Sequence, residues 1–454
     1  MTARAELAKA SAISVLKQLR AGGHSAYFVG GCVRDLLLGA APQDYDLATS
    51  ARPEQVMAFF PETIPVGAQF GVVLVVVRPE GESPIHVEVA TYRSDVGYSD
   101  GRHPNAVRYS DTPQEDVQRR DFTVNGLLLD PIRNEVLDYV GGRADLDRKI
   151  IRTIGDPRQR FHEDKLRMMR AARFAARLDS EIEPKAMAAI RELARDIHQV
   201  SRERIRDELD KMLAEGSARR CFELLDESGL LVEVLPEINA MKGVEQPPQY
   251  HPEGDVWTHT LLLLDGLEKG CSKALAWGVL LHDVGKPPTF RLAPDRIRFD
   301  NHVDVGTRMA EAICRRLRFP NDLTTQVAAL VANHMRFADV RKMKESTLKR
   351  FLRLPHFDEH LELHRLDCSA SHGDLTLYEF AKEKLENTPE REIRPEPLIT
   401  GRDLIQHGWK PGPEFRTVLQ AVEDAQLEGA LHTREEAISF LETNFPNQIP
   451  KQNH

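Results

Sequence analysis

The chain has 454 residues, more than one hydrophobic core usually serves, so two to four domains are expected. Its 41% hydrophobic and 29% charged residues are typical of a globular protein, and no apolar run reaches the length that spans a bilayer. The net charge of −9 excludes a broadly basic surface, so a nucleic acid would have to bind a local basic face. Five cysteines without CxxC spacing argue against a disulfide framework and favour the reducing cytoplasm.

The chain begins with an amphipathic segment, which predicts a first helix rather than a signal peptide. The strand-like segments follow it, within the first 150 residues. From about residue 155 the pattern changes to long segments with helical periodicity. The sequence therefore predicts an α+β protein. The expected strands are 26–29, 45–49, 71–77, 86–91 and 136–140, and the expected domains are a head (1–150), a helical neck (151–220), a helical body (221–385) and, after a proline-rich linker (387–397), a helical tail (398–454).

A glycine pair interrupts the passage from the first strand into a helix, in the segment FVGGCVRDLLLG (28–39). Gly30 and Gly31 lack a Cβ atom, so their backbone N–H groups could approach a phosphate closely. Arg34 lies one turn into the predicted helix and could reach the same phosphates. A strand, two glycines and a helix are by themselves more often a tight turn, so this pattern needs support from elsewhere in the chain.

Asp44 and Asp46 begin the next predicted strand. Side chains alternate along a strand, so both carboxylates are expected on one face, where they repel each other unless a divalent cation such as Mg²⁺ binds them. Glu88 is an isolated acid within an apolar strand and could be the third ligand, or simply an exposed acid of an edge strand. Three catalytic carboxylates around two Mg²⁺ ions would activate an attacking 3′-hydroxyl and stabilise the leaving pyrophosphate.

The glycine segment followed by DYDLAT (44–49) resembles the signature of the class II tRNA nucleotidyltransferase and poly(A) polymerase family, within the polymerase-β-like superfamily. This resemblance implies a polymerase-β-like head with a small mixed sheet. The segment RRDFTVNG (119–126) resembles the family element that contacts the incoming nucleotide, which implies nucleotide-binding roles for Arg120 and Asp121. Two further segments resemble the head–neck hinge (137–142) and the mobile loop that accompanies the last A addition (94–111).

The segment EDKLRMMRAARF (163–174) resembles the family helix that reads the base without a template. Asp164 and Arg167 are three residues apart, so they are expected on one helical face, where they offer acceptors and donors to a Watson–Crick edge. Cytosine and adenine both carry an exocyclic amine, so this pair could select CTP and ATP. Arg170 and Arg173 continue the ridge and could hold phosphate or orient the pair. The alternative is a solvated amphipathic helix with routine ion pairs.

A second pattern of metal-ligand residues lies in the helical body. A single buried histidine is more often a core residue, but His282 and Asp283 form an HD doublet, with His259 upstream and Asp367 downstream. This pattern resembles an HD-type metal-dependent phosphohydrolase domain, which implies ligands for Mn²⁺, Co²⁺, Ni²⁺ or Mg²⁺. Relatives with this domain hydrolyse 2′,3′-cyclic phosphates or phosphate esters. The positions of extra ligands in two-metal relatives are taken by His302 and His334.

The resemblance leaves several functions open. The first is CCA addition to the tRNA 3′ end from CTP and ATP, by a monomer or a homodimer that binds the acceptor stem. The others are a poly(A) polymerase, an enzyme that adds only CC or only A, and a phosphohydrolase whose head merely binds RNA. DYDLAT and the stretch 65–77 look more like the tRNA-type enzymes. The segment 398–413 resembles a C-terminal segment that could touch the tRNA elbow, although simple packing is the favoured explanation.

Overall fold

The computed structural model describes residues 3–42, 44–67, 71–98 and 104–445. The chain divides into two compact units, Met1–Asn239 and Ala240–His454. The first combines a sheet with helices, and the second is almost wholly helical. The predicted α+β class is therefore confirmed. Among the described residues, no helix is both long and apolar enough to cross a membrane.

The first unit begins with the strands of the head and ends with a group of helices. Its strands are β1 (Ala26–Val29), β2 (Leu47–Thr49), β3 (Thr63–Gly67), β4 (Val72–Val77), β5 (Ile85–Thr91), β6 (Arg93–Tyr98), β7 (Pro104–Tyr109), β8 (Leu127–Asp130), β9 (Glu135–Asp138), β10 (Ile150–Ile151) and β11 (Glu181–Ile182). Its helices are α1 (Ala3–Ala21), α2 (Gly31–Leu37), α3 (Pro53–Phe59), α4 (Pro113–Gln118), α5 (Gly142–Asp147), α6 (Pro157–Glu163), α7 (Leu166–Arg177), α8 (Pro184–Leu193), α9 (Arg202–Ala214), α10 (Ala218–Glu227), α11 (Leu230–Val234) and α12 (Pro236–Asn239). Short 3-10 segments lie at Thr123–Asn125 and Ala194–Gln199.

Seven strands form the main sheet of the head, in the order β3-β4-β5-β2-β1-β8-β9. The β2–β5 pair is parallel and the other pairs are antiparallel, which confirms the small mixed sheet implied by the family resemblance. Helix α1 packs Leu16 and Leu19 against one face, where they meet Tyr45, Val87 and other apolar side chains. Because successive side chains of β5 point to opposite faces of the sheet, Glu88 points away from that core and towards the opposite face.

The strand predictions differ from the structure in two ways. Strand β2 begins at Leu47 rather than at residue 45, and strands β3, β6, β7 and β8 were not predicted. The segment 94–111, which resembles the mobile loop of the family, contains parts of the antiparallel pair β6–β7, and its residues 99–103 lie outside the described residues. The family resemblance indicated a loop in this segment, and the strand pattern of its residues was not used.

Helices α6 to α12 follow the head and pack mainly on one another. Helix α7 is central, since it contacts α6, α9 and α10. The compact unit continues through α12 to Asn239, past residue 220, where the sequence analysis places the end of the neck. Residue 220 lies inside α10, whose buried face contacts α7, so the helices on both sides of that position share one core.

The second unit consists of helices and one short hairpin. Its elements are α13 (Val256–Asp265), α14 (Lys273–Leu281), α15 (Lys286–Thr289), β12 (Phe290–Leu292), β13 (Ile297–Phe299), α16 (His302–Arg316), α17 (Asn321–Asn333), a 3-10 segment (His334–Lys342), α18 (Glu345–Leu352), α19 (Phe357–Ala370), α20 (Thr376–Asn387), α21 (Glu390–Ile393), α22 (Gly401–Gln406), α23 (Glu414–Leu427) and α24 (Arg434–Asn444). The predicted linker therefore includes the short helix α21. The predicted tail forms its own apolar cluster around Trp409, and its last residues, 446–454, lie outside the described part of the chain.

Candidate functional sites in the head and the helical body

Asp44 and Asp46 lie immediately before β2, on the open face of the sheet. Tyr45 between them is 3% exposed and packs into the core, so the two acids point the other way, as the alternation predicts. The chain is thus already extended here, although the hydrogen-bonded strand starts later. The parallel register pairs Leu47 with Val89, which places Asp46 beside Glu88 on the neighbouring strand. The three predicted acids therefore meet in one cleft.

The three carboxylates repel one another in this cleft. Burial, Glu88 and Asp44 raise the pKa of Asp46 to about 7, and nearby Arg120 only partly opposes this. The pKa of Glu88 is also raised, by burial and by Asp44, against the effect of Arg120. Acids that ionise reluctantly in a shared cleft suit a divalent cation, whose charge removes the repulsion and whose preferred ligands are carboxylate oxygens. The donor set therefore fits Mg²⁺.

Replacing Asp46 with asparagine should stabilise the metal-free head above neutral pH. The pKa of Asp46 in the fold is about 7 and its ordinary value is 3.8, so the wild type loses stability as pH rises from about 4 to 7. Asparagine does not titrate, so we expect a gain on the order of 1–2 kcal/mol at pH 8 in EDTA, and a smaller one at pH 5. Thermal unfolding at both pH values measures it. Equal stability of variant and wild type at pH 8 would show that the acids do not repel.

Arg120 is the cation that faces the acids and the glycine turn. Its Nε and Nη2 atoms donate to Asp116 Oδ2 at 3.2 and 3.0 Å, and Asp116 is fully buried within α4. Gly30 has φ 73°, and a Cβ atom there would lie 3.5 Å from Arg120 Nη1. The nucleotide-binding prediction for Arg120 is therefore compatible with its position. Asp116 was missed, although its helical spacing of three and four residues from Arg119 and Arg120 is a signal for such a pair.

Arg34 does not present its charge to the cleft. It is 2% exposed and donates through Nη1 to Asn125 Oδ1 at 2.7 Å and through Nη2 to Asp35 Oδ1 at 2.7 Å, while its guanidinium lies over the ring of Phe174. Its Nη2 atom also lies 3.6 Å from the position that a Cβ atom of Gly31 would take, so contact of Arg34 with phosphates at the glycine turn stays a prediction. A buried arginine needs fixed acceptors, and the bond to Asn125 connects α2 to the 3-10 segment Thr123–Asn125.

Asp121 also makes internal contacts. It is 9% exposed and accepts from Arg170 Nη2 at 2.5 Å, from Asn125 Nδ2 at 3.2 Å and from the backbone N–H of Phe122. Burial opposes its ionisation, but Arg170 outweighs burial and the pKa of Asp121 falls to about 2. Asp121 and Arg170 therefore form an ion pair between the head and α7. Their predicted nucleotide roles would require this pair to open or to act through neighbouring groups.

The predicted base-reading helix is broken at Asp164, which corrects the sequence analysis. Helix α6 ends at Glu163 and α7 begins at Leu166, while Asp164 has the extended values φ −146° and ψ 105°. Asp164 Oδ1 accepts the Leu166 backbone N–H at 3.1 Å, the kind of local bond by which aspartate interrupts a helix. Asp164 and Arg167 are therefore not on one continuous helical face.

Each member of this pair has a separate partner. Asp164 Oδ2 accepts from Arg204 Nη2 at 2.8 Å, and Arg167 Nη1 donates to Glu163 Oε2 at 2.8 Å. Glu163 and Arg204 were not identified from the sequence as functional residues. The signal for Glu163 was its spacing of four residues from Arg167, whereas Arg204 lies 40 residues from Asp164 and gives no local signal.

Arg173 makes internal contacts, and its role in holding phosphate or orienting the Asp164 and Arg167 pair stays a prediction. It is 5% exposed, pairs with Glu208 at 2.6 Å and Glu215 at 3.2 Å, and stacks on Phe174. These bonds tie α7 to α9. The helical spacing predicted that Arg173 lies on the same side of α7 as Arg170. It could not show that Glu208 and Glu215, from the region of α9, cover the side chain.

The predicted residues of the second site come together within the helical body. His259 Nε2 lies 3.1 Å from Asp367 Oδ1, and His282 Nε2 lies 3.4 Å from His259 Nε2. These three residues form one group whose ligand atoms lie within 4.8 Å of one another. A second such group consists of Asp283, His302 and His334.

Asp283 belongs to the second group and also contacts the first. Its Oδ2 atom is 3.2 Å from His282 Nε2, and its Oδ1 atom is 3.9 and 3.8 Å from the Nε2 atoms of His302 and His334. The longer separations exceed hydrogen-bond distances and leave room for a cation between the ligand atoms.

The four histidines share one orientation. Each has its Nδ1 atom against an oxygen atom, at 2.6 Å from Glu253 Oε1 for His259 and at 2.7 to 3.0 Å from a backbone carbonyl for the others. Such contacts place the proton on Nδ1 and leave Nε2 free as a metal ligand. Within the described part of the chain, the buried Nε2 atoms of His302 and His334 have no hydrogen-bond partner. The donor set therefore fits one or two divalent cations.

Two residues next to this centre were missed by the sequence analysis. Glu253 accepts from His259 and also lies 2.9 Å from His251 Nδ1, and Lys286 Nζ lies 2.7 Å from Asp283 Oδ2. Lys286 belongs to the VGK that follows the HD doublet, so its spacing offered a signal. A cavity of about 560 Å³ adjoins the centre, and its lining includes Tyr250, His251, Lys286, Arg298, Phe299 and Asp367.

Comparison with known families gives matches along most of the chain. The family model described as "Poly A polymerase head domain" matches residues 26–152, and "Probable RNA and SrmB-binding site of polymerase A" matches 180–242. A model for tRNA nucleotidyltransferase domain 2 matches 301–441. The first of these covers the sheet, the carboxylate cleft and Arg120.

Several relatives similar in sequence are CCA-adding enzymes. The CCA-adding enzyme of Geobacillus stearothermophilus is 44% identical over 48% of this chain and 53% of its own length, and the alignments with this enzyme and three further Bacillus and Lactobacillus relatives span only 53% to 63% of those proteins. The CCA-adding enzyme of Lactococcus lactis subsp. cremoris is 33% identical over 93% of both chains.

A solved structure extends the likeness to the fold. The crystal structure of the Bacillus stearothermophilus CCA-adding enzyme in complex with CTP is 28% identical, superposes with a TM-score of 0.73, and covers 96% of this chain and 97% of that one. Likeness over nearly the whole of both chains, in sequence and in fold, agrees with the motifs of the head. The chain therefore belongs to the class II family that includes the CCA-adding enzymes and the poly(A) polymerases.

Proposed function

We propose that the protein adds CMP and AMP, from CTP and ATP, to the 3′ end of tRNA in the order C, C, A. The observation that carries this proposal is the 33% identity to the Lactococcus enzyme over 93% of both chains, which includes the carboxylate cleft. The Bacillus stearothermophilus structure has CTP bound, which agrees with CTP as a substrate here. The poly(A) polymerase and the CC-only or A-only enzyme remain the alternatives to be tested.

Enzymes of this family use a divalent metal ion. Asp44, Asp46 and Glu88 would hold Mg²⁺, which would activate the 3′-hydroxyl and neutralise the triphosphate. Arg120, fixed by buried Asp116, supplies a positive charge beside the glycine turn and the acids. Asp164 and Arg167 would accept from and donate to the Watson–Crick edge of the incoming base.

Three tRNA substrates test the order of addition. With CTP alone, a tRNA that ends before CCA should gain two nucleotides and one that ends after the first C should gain one. With ATP alone, a tRNA that ends in CC should gain a single A. Gel resolution of the products measures these steps. Addition of A to the tRNA that lacks CC would contradict the proposed order.

A second activity is favoured by the histidine and aspartate ligands of the helical body, called the HD cluster from here on. We propose that His259, His282, Asp283 and Asp367, with His302 and His334, hold Mn²⁺, Co²⁺, Ni²⁺ or Mg²⁺ and that this centre hydrolyses phosphate esters such as 2′,3′-cyclic phosphates. A bound metal would lower the pKa of its water. The support is geometric, since four Nε2 atoms and two carboxylates converge beside a cavity that contains Lys286 and Arg298. Such an activity would clean damaged RNA ends before addition.

Hydrolysis of 2′,3′-cyclic AMP and of a generic phosphate ester tests this second activity. Purified protein with Mn²⁺, Co²⁺ or Ni²⁺ should release product, and EDTA should stop the reaction. Protein that leaves both compounds untouched with every metal would show that the cluster has a structural role or acts on another substrate.

The setting of the enzyme follows from the same proposal. Its tRNA partner would be held through the acceptor stem, where A-form RNA presents a wide minor groove and its backbone. A cytoplasmic location agrees with the free state of all five cysteines, four of which are buried.

A further inference from the structure

Asp164 is held by two bonds that come from different helices. Its Oδ1 atom accepts the backbone N–H of Leu166 at 3.1 Å, and its Oδ2 atom accepts from Arg204 Nη2 at 2.8 Å. Both side chains of this ion pair keep some access to solvent, at 17% for Asp164 and 20% for Arg204. The carboxylate is therefore fixed in orientation and still accessible to a ligand.

Fixed orientation matters for a carboxylate that reads a base. Cytosine and adenine carry an exocyclic amine at C4 and C6, respectively, where uracil and guanine carry a carbonyl oxygen. The donors of uracil and guanine lie elsewhere on the Watson–Crick edge, at the ring N–H of both bases and at the C2 amine of guanine. A carboxylate accepts from either donor, so it discriminates only if its oxygen atoms are held at the position of the exocyclic amine. The Leu166 bond alone would leave the carboxyl group free to rotate about its terminal torsion.

Arg204 is itself well anchored. It lies on α9, which packs against α7, and this packing is fastened by the buried pair of Arg173 with Glu208 and by a second bond from Arg173 to the partly exposed Glu215. A planar guanidinium on a fixed helix restricts the carboxylate more strongly than a flexible ammonium would. Arg202, two residues earlier, approaches His198 and provides a matched arginine of the same helix.

We propose that Arg204 is a specificity-determining positioning residue, which holds Asp164 so that CTP and ATP are accepted and UTP and GTP are rejected. This inference rests on the proposed nucleotide addition and on the base-reading role of Asp164. Arg204 acts through Asp164 and not on the reacting atoms. Its loss should therefore change the choice of base more than the rate of transfer.

The test compares Arg204→Ala, Arg204→Lys and the control Arg202→Ala in the full-length protein. For tRNA that lacks CCA, Arg204→Ala should lower the ratio of kcat/KM for CTP to that for UTP by about tenfold, the effect of losing one charged hydrogen bond. Equilibrium dialysis without tRNA should show that the Kd for UTP divided by the Kd for CTP falls by the same factor. Arg204→Lys should restore part of both ratios, and Arg202→Ala should match the wild type.

A double variant separates positioning from simple stability. If Arg204 acts through Asp164, adding Arg204→Ala to Asp164→Ala should change the CTP to UTP ratio no further. Circular dichroism verifies the fold of each variant. A uniform loss of activity for all four nucleotides, with both ratios unchanged, would overturn the inference. Failure of the wild type to extend tRNA would instead contradict the proposed function. In that case the Kd values from dialysis would still test whether Arg204 affects the choice of base.

Discussion

Replacement of Asp46 with alanine should reduce nucleotide addition at least about 10³-fold without unfolding the protein. Asp46 adjoins Glu88 across the β2–β5 pair, and its raised pKa reflects a cleft that requires a cation. Removing one of three closely placed carboxylates removes a metal ligand and leaves the sheet intact, because Tyr45 and Leu47 still pack in the core. The measurement is the rate of CMP transfer from CTP at saturating Mg²⁺.

Two variants accompany this experiment. Asp44→Ala should cause a loss of the same order, whereas Glu82→Ala, which removes an exposed acid between β4 and β5, should leave the rate unchanged. All three variants should keep any hydrolysis of 2′,3′-cyclic AMP. Transfer by either aspartate variant at more than a tenth of the wild-type rate would refute the assignment of the cleft.

Replacement of Asp283 with asparagine should remove the metal of the helical body and at least about 10³-fold of the proposed hydrolysis. Asp283 has one oxygen atom towards His282 and the other towards His302 and His334, so it is the residue shared by both groups of ligands. A neutral amide keeps the volume of the side chain and loses the charge that a cation needs. Elemental analysis of bound metal and the hydrolysis assay measure the two effects.

The variants of this second site should leave nucleotide addition at the wild-type rate. His282→Ala should also lose metal, whereas Asp322→Asn, at an exposed position of α17, should retain it. Full metal content in Asp283→Asn would contradict the proposed metal centre. Loss of metal with intact hydrolysis would contradict its catalytic role alone.

The sequence was most informative where neighbouring residues define the chemistry. Alternation along an extended chain placed Asp44 and Asp46 on one face, and this holds although β2 starts only at Leu47. The convergence of the residues predicted for the second metal site was expected from the sequence. Their ring orientation was not, because it depends on carbonyl and carboxylate oxygens that become available only when the helices are formed.

The arginines show where sequence analysis reached its limit. Helical spacing put Arg173 on the same ridge as Arg170, but the acids that cover Arg173 lie 35 and 42 residues later. Arg34 looked like a phosphate ligand beside two glycines, yet Asn125, which follows it by 91 residues, accepts its bond. Periodicity gives the direction of a side chain, and only tertiary packing decides which group it meets.

Asp164 illustrates a different limit. The motif was recognised and its spacing indicated a continuous helix, but the carboxylate accepts the backbone N–H of Leu166 and ends that continuity. The break turns Asp164 towards α9 and Arg204. A local competition between side chain and backbone thus determined the geometry of the base-reading residues.

The most direct test of the central claim is the 3′-end sequence of tRNA incubated with all four nucleoside triphosphates in excess. Starting from tRNA that lacks CCA, the proposed function predicts products that end in CCA and are not extended further. Long A tails would identify a poly(A) polymerase, products that stop at CC would identify a CC-adding enzyme, and either result would contradict the account.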